Sequence, residues 1–206
     1  MPDVDVRRIF DRVAHLYDTG WLQRALYAAV QERVLGELRA TRPRSIVDVG
    51  CGTGIFAARL EQELTPGGVV GCDLSSGMLA EAAARTRRVA WLRADSGRLP
   101  FRTGAFDAVV CTQAFHFFDQ PVAWAEFRRV LKPGGRVLVG MIHPRTEVGS
   151  ERFSRLSSRA SKTRVNFPTR PAMHRLATGA GFTVLGQHSV DWRFRHVVPL
   201  VVTVAA

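Results

Sequence analysis

Between residues 45 and 142, short apolar runs alternate with helix-like stretches, and that alternation leaves few folds open. Ser45–Val49, Val69–Asp73, Val89–Ala94, Phe106–Thr112 and Arg136–Ile142 read as strands. Ile55–Leu64, Gly77–Arg85 and Pro121–Leu131 read as helices, with Pro121 suited to a first helical turn. Lys132-Pro133-Gly134-Gly135 then stops the third helix and turns the chain into the fifth strand. The strand runs are nearly continuous in Val and Ile, which suits strands buried on both faces. Strand and helix repeated in this way predict a parallel sheet with helices on both sides. Downstream, a helix over Pro171–Ala180 and strands over Phe182–Val190 and Trp192–Val204 bring the expected count to seven.

At 206 residues the chain is long enough for one domain with a substantial core. Its expected parts are an N-terminal helical cover (1–40), a central core (41–143), a basic lid and helix (144–180) and a C-terminal strand pair (181–206). The cover rests on helical spacing of Ile9, Val13 and Leu16, then of Leu22, Leu26, Val30 and Val34. Three cysteines, Cys51, Cys72 and Cys111, carry no C-x-x-C spacing and lie in or beside apolar stretches. Neither a disulfide framework nor a zinc site is signalled, and reduced thiols of a cytoplasmic protein are expected. The first thirty residues have early acids and no long apolar run, so no signal peptide is expected. The most apolar stretch, Val197–Ala206, is too short to span a bilayer.

The chemically informative stretch is Asp48-Val49-Gly50-Cys51-Gly52-Thr53-Gly54, between the first strand and the first core helix. Glycines allow a tight turn and close ligand approach, and free N–H groups at a helix start favour acceptor or anionic groups. Asp73, at the end of the second strand, can accept hydrogen bonds from a ribose diol; it can equally be a strand-end cap. The dinucleotide fingerprint G-x-G-x-x-G requires glycine at 55, where Ile55 stands. With G-x-G-x-G and an acid two residues ahead, the loop resembles the first motif of class I S-adenosylmethionine-dependent methyltransferases. Other segments in order share the resemblance: Ala94-Asp95-Ser96 with Leu99-Pro100-Phe101, Phe106–Val110, Gln113-Ala114-Phe115-His116-Phe117-Phe118, and Leu131–Gly135. Upstream, Phe10–Ala14 and Tyr17-Asp18 resemble the N-terminal segment of quinone-pathway members.

The resemblance implies a Rossmann-like doubly wound α/β fold, mainly parallel, with its last strand antiparallel. It implies S-adenosyl-L-methionine as cofactor and a small-molecule oxygen, nitrogen or carbon atom as methyl acceptor. On the matching positions, Gly50, Cys51, Gly52 and Gly54 line the methionine portion, Asp48 sits near its amino group, and Asp73 takes the ribose hydroxyls. Asp95 and Ser96 face the adenine amino group, while Leu74 and Met78 flank the ring. Gln113 and His116 stand over the sulfonium, and Tyr17 and Trp21 close the site. Phe117 lies on the acceptor side, and His143, near the end of the fifth strand, either joins it or is a structural strand-end histidine. In such a reaction, near-attack positioning alone supplies about 7–11 kcal/mol at its upper end. A base is required only where the acceptor must lose a proton; His116 is the candidate, and a packed imidazole among phenylalanines is the other reading. No Pro-Cys or N-P-P-Y-like run accompanies the fourth strand, and the histidines have no metal-ligand spacing. An RNA methyltransferase and a non-catalytic cofactor-binding protein remain the alternatives at this point.

Charge bears on the second ligand. The formal net charge is +11, and residues 145–206 hold ten basic against three acidic side chains. Arg152, Arg155, Arg159 and Lys162 are spaced so that a helix would align them. Three readings stand: a solvated lid in an Arg-biased coding background, recognition of an acidic small molecule, and phosphate contacts to nucleic acid. No RNA-binding module is evident, so nucleic acid is not the favoured partner. Oligomeric state is not encoded legibly.

Overall fold

The computed structural model describes residues 21–64, 67–161, 163–191 and 199–206, with backbone alone for 21–26 and 160–161. In chain order the elements are α1 (Trp21–Thr41), β1 (Ser45–Val49), α2 (Ile55–Leu64), β2 (Gly68–Asp73), α3 (Ser76–Arg85), β3 (Ala90–Arg93) and β4 (Phe106–Thr112). A 3-10 turn (Phe115–Phe117), α4 (Gln120–Val130), β5 (Leu131–Ile142), α5 (Glu147–Ser161), α6 (Arg170–Gly179), β6 (Val184–Ser189) and β7 (Leu200–Ala205) follow. The seven strands form one sheet in the order β3-β2-β1-β4-β5-β7-β6. β7 runs antiparallel to both β5 and β6, and the other pairings are parallel. This is the doubly wound, mainly parallel sheet with an antiparallel last strand that the alternation and the motifs predict.

Burial explains the strand composition. β1, β4 and β7 are almost wholly buried, as strands covered on both faces must be. One face packs Val30, Val34, Leu35 and Leu38 of α1 and Phe56 and Leu60 of α2 against Ile46, Val110 and Leu138. The other packs Trp124 and Phe127 of α4 and Met173 of α6 against Val47, Val109 and Val139. β3 lies at the sheet's edge and is mostly exposed.

Two expectations shift. The fifth strand begins at Leu131 rather than Arg136: Leu131 pairs with Phe106, Arg136 with Ala108, and the Lys132–Gly135 turn bulges out opposite Asp107. The Ser- and Arg-rich stretch after β5 contains a helix, α5. The N-terminal part of the helical cover (Ile9–Leu16), Lys162, and Trp192–Val198 of the expected last strand lie outside the described residues.

Every parallel strand from β1 to β5 delivers its carboxyl end to the same edge of the sheet, where ligands of such folds bind. That edge is built from short, specific caps. Ser75, 1% exposed, accepts from the Met78 N–H at 3.1 Å and starts α3 directly after β2. Ser75→Ala is expected to lower stability by about 1 kcal/mol, read as a shift in denaturant midpoint at unchanged m-value.

Candidate active site

The loop after β1 is fixed from β2. The Gly50 and Cys51 N–H groups donate to the Cys72 carbonyl at 2.8 and 3.0 Å, and the Gly52 N–H donates to Asp73 Oδ2 at 2.9 Å. Asp73 Oδ1 accepts from the Ser75 N–H, also at 2.9 Å. Asp73 is therefore a strand-end cap, as one of the two sequence readings has it.

The three glycines differ in what they face. All have positive φ (75°, 54° and 76° for Gly50, Gly52 and Gly54). A Cβ on Gly50 would stand 2.4 Å from Ala114 Cβ and 3.1 Å from Phe118 Cζ, so its role is to seat the segment after β4. A Cβ on Gly54 would meet Trp91 at 2.5 Å and Ala82 at 2.8 Å, so it permits close packing of α3 and β3. Only Gly52 of the three opens onto free space, and it is the glycine whose Cα offers a ligand an approach.

Asp48, 1% exposed, lies two residues before this turn, and both of its carboxyl oxygens are buried without a hydrogen-bond partner among the described residues. Burial, with the nearby Asp73 charge adding to it, raises its pKa to about 8. An orphaned buried carboxyl close in sequence to an open glycine fits a cationic donor such as an amino-acid ammonium. Cys51, Cys72 and Cys111 are all buried unpaired thiols, pushed above the ordinary thiol range by the same burial.

The residues expected on the adenine side lie after β2 and β3. Met78 is buried on α3, Leu74 is half-buried, and its carbonyl accepts from Arg93 Nε at 3.2 Å. Asp95 and Ser96 are half-buried in a tight turn in which Asp95 Oδ1 accepts from the Gly97 N–H at 2.8 Å.

After β4 the backbone is strained where the sequence gives no hint of it. Gln113 is buried and holds φ +55°, a left-handed conformation costly outside glycine, and its N–H donates to the Gly140 carbonyl at 2.8 Å. His116 follows in the 3-10 turn. Its ring stacks on Phe167 at 4.3 Å and tilts against Phe117 at 4.1 Å. Nδ1 is buried without a partner among the described residues, and burial pushes the imidazole pKa down to about 3. A conjugate acid that strong makes the neutral ring a weak base at neutral pH.

The segment 163–169 is laced to this turn. The Asn166 N–H donates to the His116 carbonyl at 2.8 Å, and the Asn166 and Gln120 side chains pair, with Asn166 Nδ2 donating to Gln120 Oε1 at 3.0 Å. Periodicity at 121–131 shows a helix but nothing of Gln120, and a lone Asn in a polar stretch carries no signal. His143 is brought to a different place. It is 2% exposed, its Nδ1 lies 2.7 Å from the Pro168 carbonyl, and burial drives its pKa down to about 4. Trp21 opens α1 but its side chain, like all of Tyr17, lies outside the described residues. Arg152, Arg155 and Arg159 are exposed along α5. No described helix is long and apolar enough to cross a membrane.

Residues 47–139 match the family model described as "Methyltransferase domain". A malonyl-[acyl-carrier protein] O-methyltransferase of Hahella chejuensis is 35% identical over 68% of this chain and 50% of its own length. A demethylmenaquinone methyltransferase of Thermus thermophilus is 39% identical over 59% of this chain and 54% of its own. The chain thus spans about half the length of these curated relatives. Among solved structures, a putative methyltransferase in complex with the Haloferax volcanii Trm112 activator superposes with a TM-score of 0.83 at 22% identity. That superposition covers 98% of this chain and 96% of the other.

Proposed function

We propose that this chain, whose residues 47–139 match a methyltransferase-domain family model, transfers a methyl group from S-adenosyl-L-methionine to a small-molecule oxygen, nitrogen or carbon acceptor. The observation that carries this is the orphaned Asp48 carboxyl beside the open face of Gly52, with Asp73 holding the same loop from β2. We read residues 1–206 as one such domain. Its three buried unpaired thiols support a reducing, cytoplasmic setting.

The cofactor supplies an activated methyl on a sulfonium. The chain's own residues do the rest. Asp48 accepts the ammonium of the methionine portion; Asp73 accepts from the ribose diol; Asp95 and Ser96 serve the adenine edge, with Leu74 and Met78 against the ring. Gln113 and the His116–Phe117 turn form the acceptor wall beyond the sulfonium. Holding the two reactants in line, in a site lined by aromatic rings that exclude water, is the principal source of acceleration. His116, neutral and packed between rings, shapes that wall more than it moves a proton.

His116→Phe keeps the stacking surface and removes the nitrogens, so turnover is expected to fall less than about tenfold with unchanged cofactor affinity. The pH–rate profile of the unaltered protein then has no limb near 6.5 assignable to His116. A loss of 100-fold or more in this variant would instead establish the base. Methyl transfer itself is tested with labelled cofactor and a fractionated metabolite extract. Time-dependent label in a low-mass fraction is expected; cofactor binding without label in any fraction overturns catalysis, and label in RNA overturns the small-molecule acceptor.

A further inference from the structure

Beyond the acceptor wall lies a cavity of about 500 Å³, lined among others by His143, Arg145, Arg170, Ser189 and Pro199. It sits where β5 and β6 end and β7 begins, at the same edge of the sheet as the loop after β1. Two guanidiniums face one space here. Arg170 opens α6, donates to Ser189 Oγ, and has its backbone carbonyl held by Gln187 Nε2 at 3.0 Å. Arg145 is exposed, and neither arginine has a carboxylate at ion-pair distance among the described residues. The neighbouring acid Glu147 is engaged elsewhere, accepting from Thr169 Oγ1 at 2.7 Å and lying 3.7 Å from Arg175. His143 stays neutral on the cavity wall, as Arg170 and its own burial both require. The lining therefore carries two uncompensated positive charges in fork geometry suited to a carboxylate or phosphate.

The segment 167–170 ties the cavity wall to the acceptor wall. Phe167 stacks on His116, the Pro168 carbonyl meets His143, Thr169 caps α6, and Arg170 is next in line. On the strand side, Gly140 accepts from Gln113, and His143 is three residues further along, about 10 Å of extended chain. We propose that this cavity binds the anionic end of the methyl acceptor, a carboxylate or a phosphate, through Arg145 and Arg170. The inference rests on the methyl-transfer reading and specifies its substrate class. It moves the acidic-ligand role from the α5 arginines, which point into solvent, to two arginines 25 residues apart that the fold brings together.

The test is calorimetric titration of inorganic pyrophosphate and of succinate at near-physiological salt, with adenosylhomocysteine titrated in parallel. Saturable binding of one of the two anions is expected, pyrophosphate marking a phosphate site and succinate a carboxylate site. Arg145→Gln and Arg170→Gln should each weaken it about tenfold or more, leaving adenosylhomocysteine affinity unchanged. Arg155→Gln, the same charge change on the exposed face of α5, should leave anion binding intact. No saturable binding, or an equal loss in Arg155→Gln, overturns the proposal. If Arg170→Gln fails to fold, Arg145→Gln decides, because that exposed side chain supports nothing else. Anion binding without any adenosylhomocysteine binding would sink the methyl-transfer reading, and the acceptor role with it, while leaving the anion site standing.

Discussion

Asp73→Ala is expected to weaken adenosylhomocysteine binding by at least about 100-fold, because a ribose diol would lose two charge-assisted hydrogen bonds worth roughly 1.5–3 kcal/mol each. The same substitution removes the acceptor for the Gly52 and Ser75 N–H groups, both at 2.9 Å, so stability should fall by about 2–3 kcal/mol as well. Weak binding alone therefore does not separate a ribose contact from a collapsed loop. The ribose contact is isolated by comparing adenosylhomocysteine with its 2′-deoxy analogue. The unaltered protein should prefer the hydroxylated ligand by tenfold or more, and the Ala variant should show almost no preference. An equal preference in both proteins would leave Asp73 as a cap and nothing else.

Much of this architecture is legible because burial writes it into the sequence twice. Strands covered on both faces must be continuous in Val and Ile, as β1 and β4 are, and the turn at Gly50–Gly54 must be glycine-rich wherever left-handed φ is needed. What the glycines do is not legible, since only the packed structure shows Gly50 against Ala114, Gly54 against Trp91 and Gly52 against open space. The same limit hides Gln113, whose strained φ accompanies a bond to Gly140 on the neighbouring strand. Arg145 and Arg170 escape notice because no period relates them. A helical stripe such as Arg152, Arg155 and Arg159 is conspicuous in sequence, yet it reports a solvent face. The arginines that share a cavity converge only after β7 closes antiparallel on β5 and β6.

Asp48 carries the largest electrostatic consequence. Its folded pKa, about 8, lies far above the ordinary carboxyl value, so the native state holds a proton that the unfolded chain has released at neutral pH. The sign follows: stability from this group is complete below about pH 4 and is lost progressively as pH rises to 8. Asp48→Asn keeps the shape without the titration and is expected to stabilise the free protein at pH 7 by about 4 kcal/mol, an order-of-magnitude figure set by the distance from the ordinary carboxyl pKa to pH 7. Binding runs the other way. An ammonium placed against Asp48 favours the ionised form, so adenosylhomocysteine binding below pH 8 must release a proton, and affinity should rise up to about tenfold per pH unit. At higher pH the ligand's own amino group deprotonates and affinity should fall again, placing the maximum above pH 8. Calorimetry in buffers of different ionisation enthalpy reads the released proton directly. In Asp48→Asn the rising limb should vanish and affinity at pH 8 should drop about 10- to 100-fold, while the melting temperature increases. A variant that binds as tightly as the parent, with the same pH profile, would show that this buried carboxyl faces no ammonium.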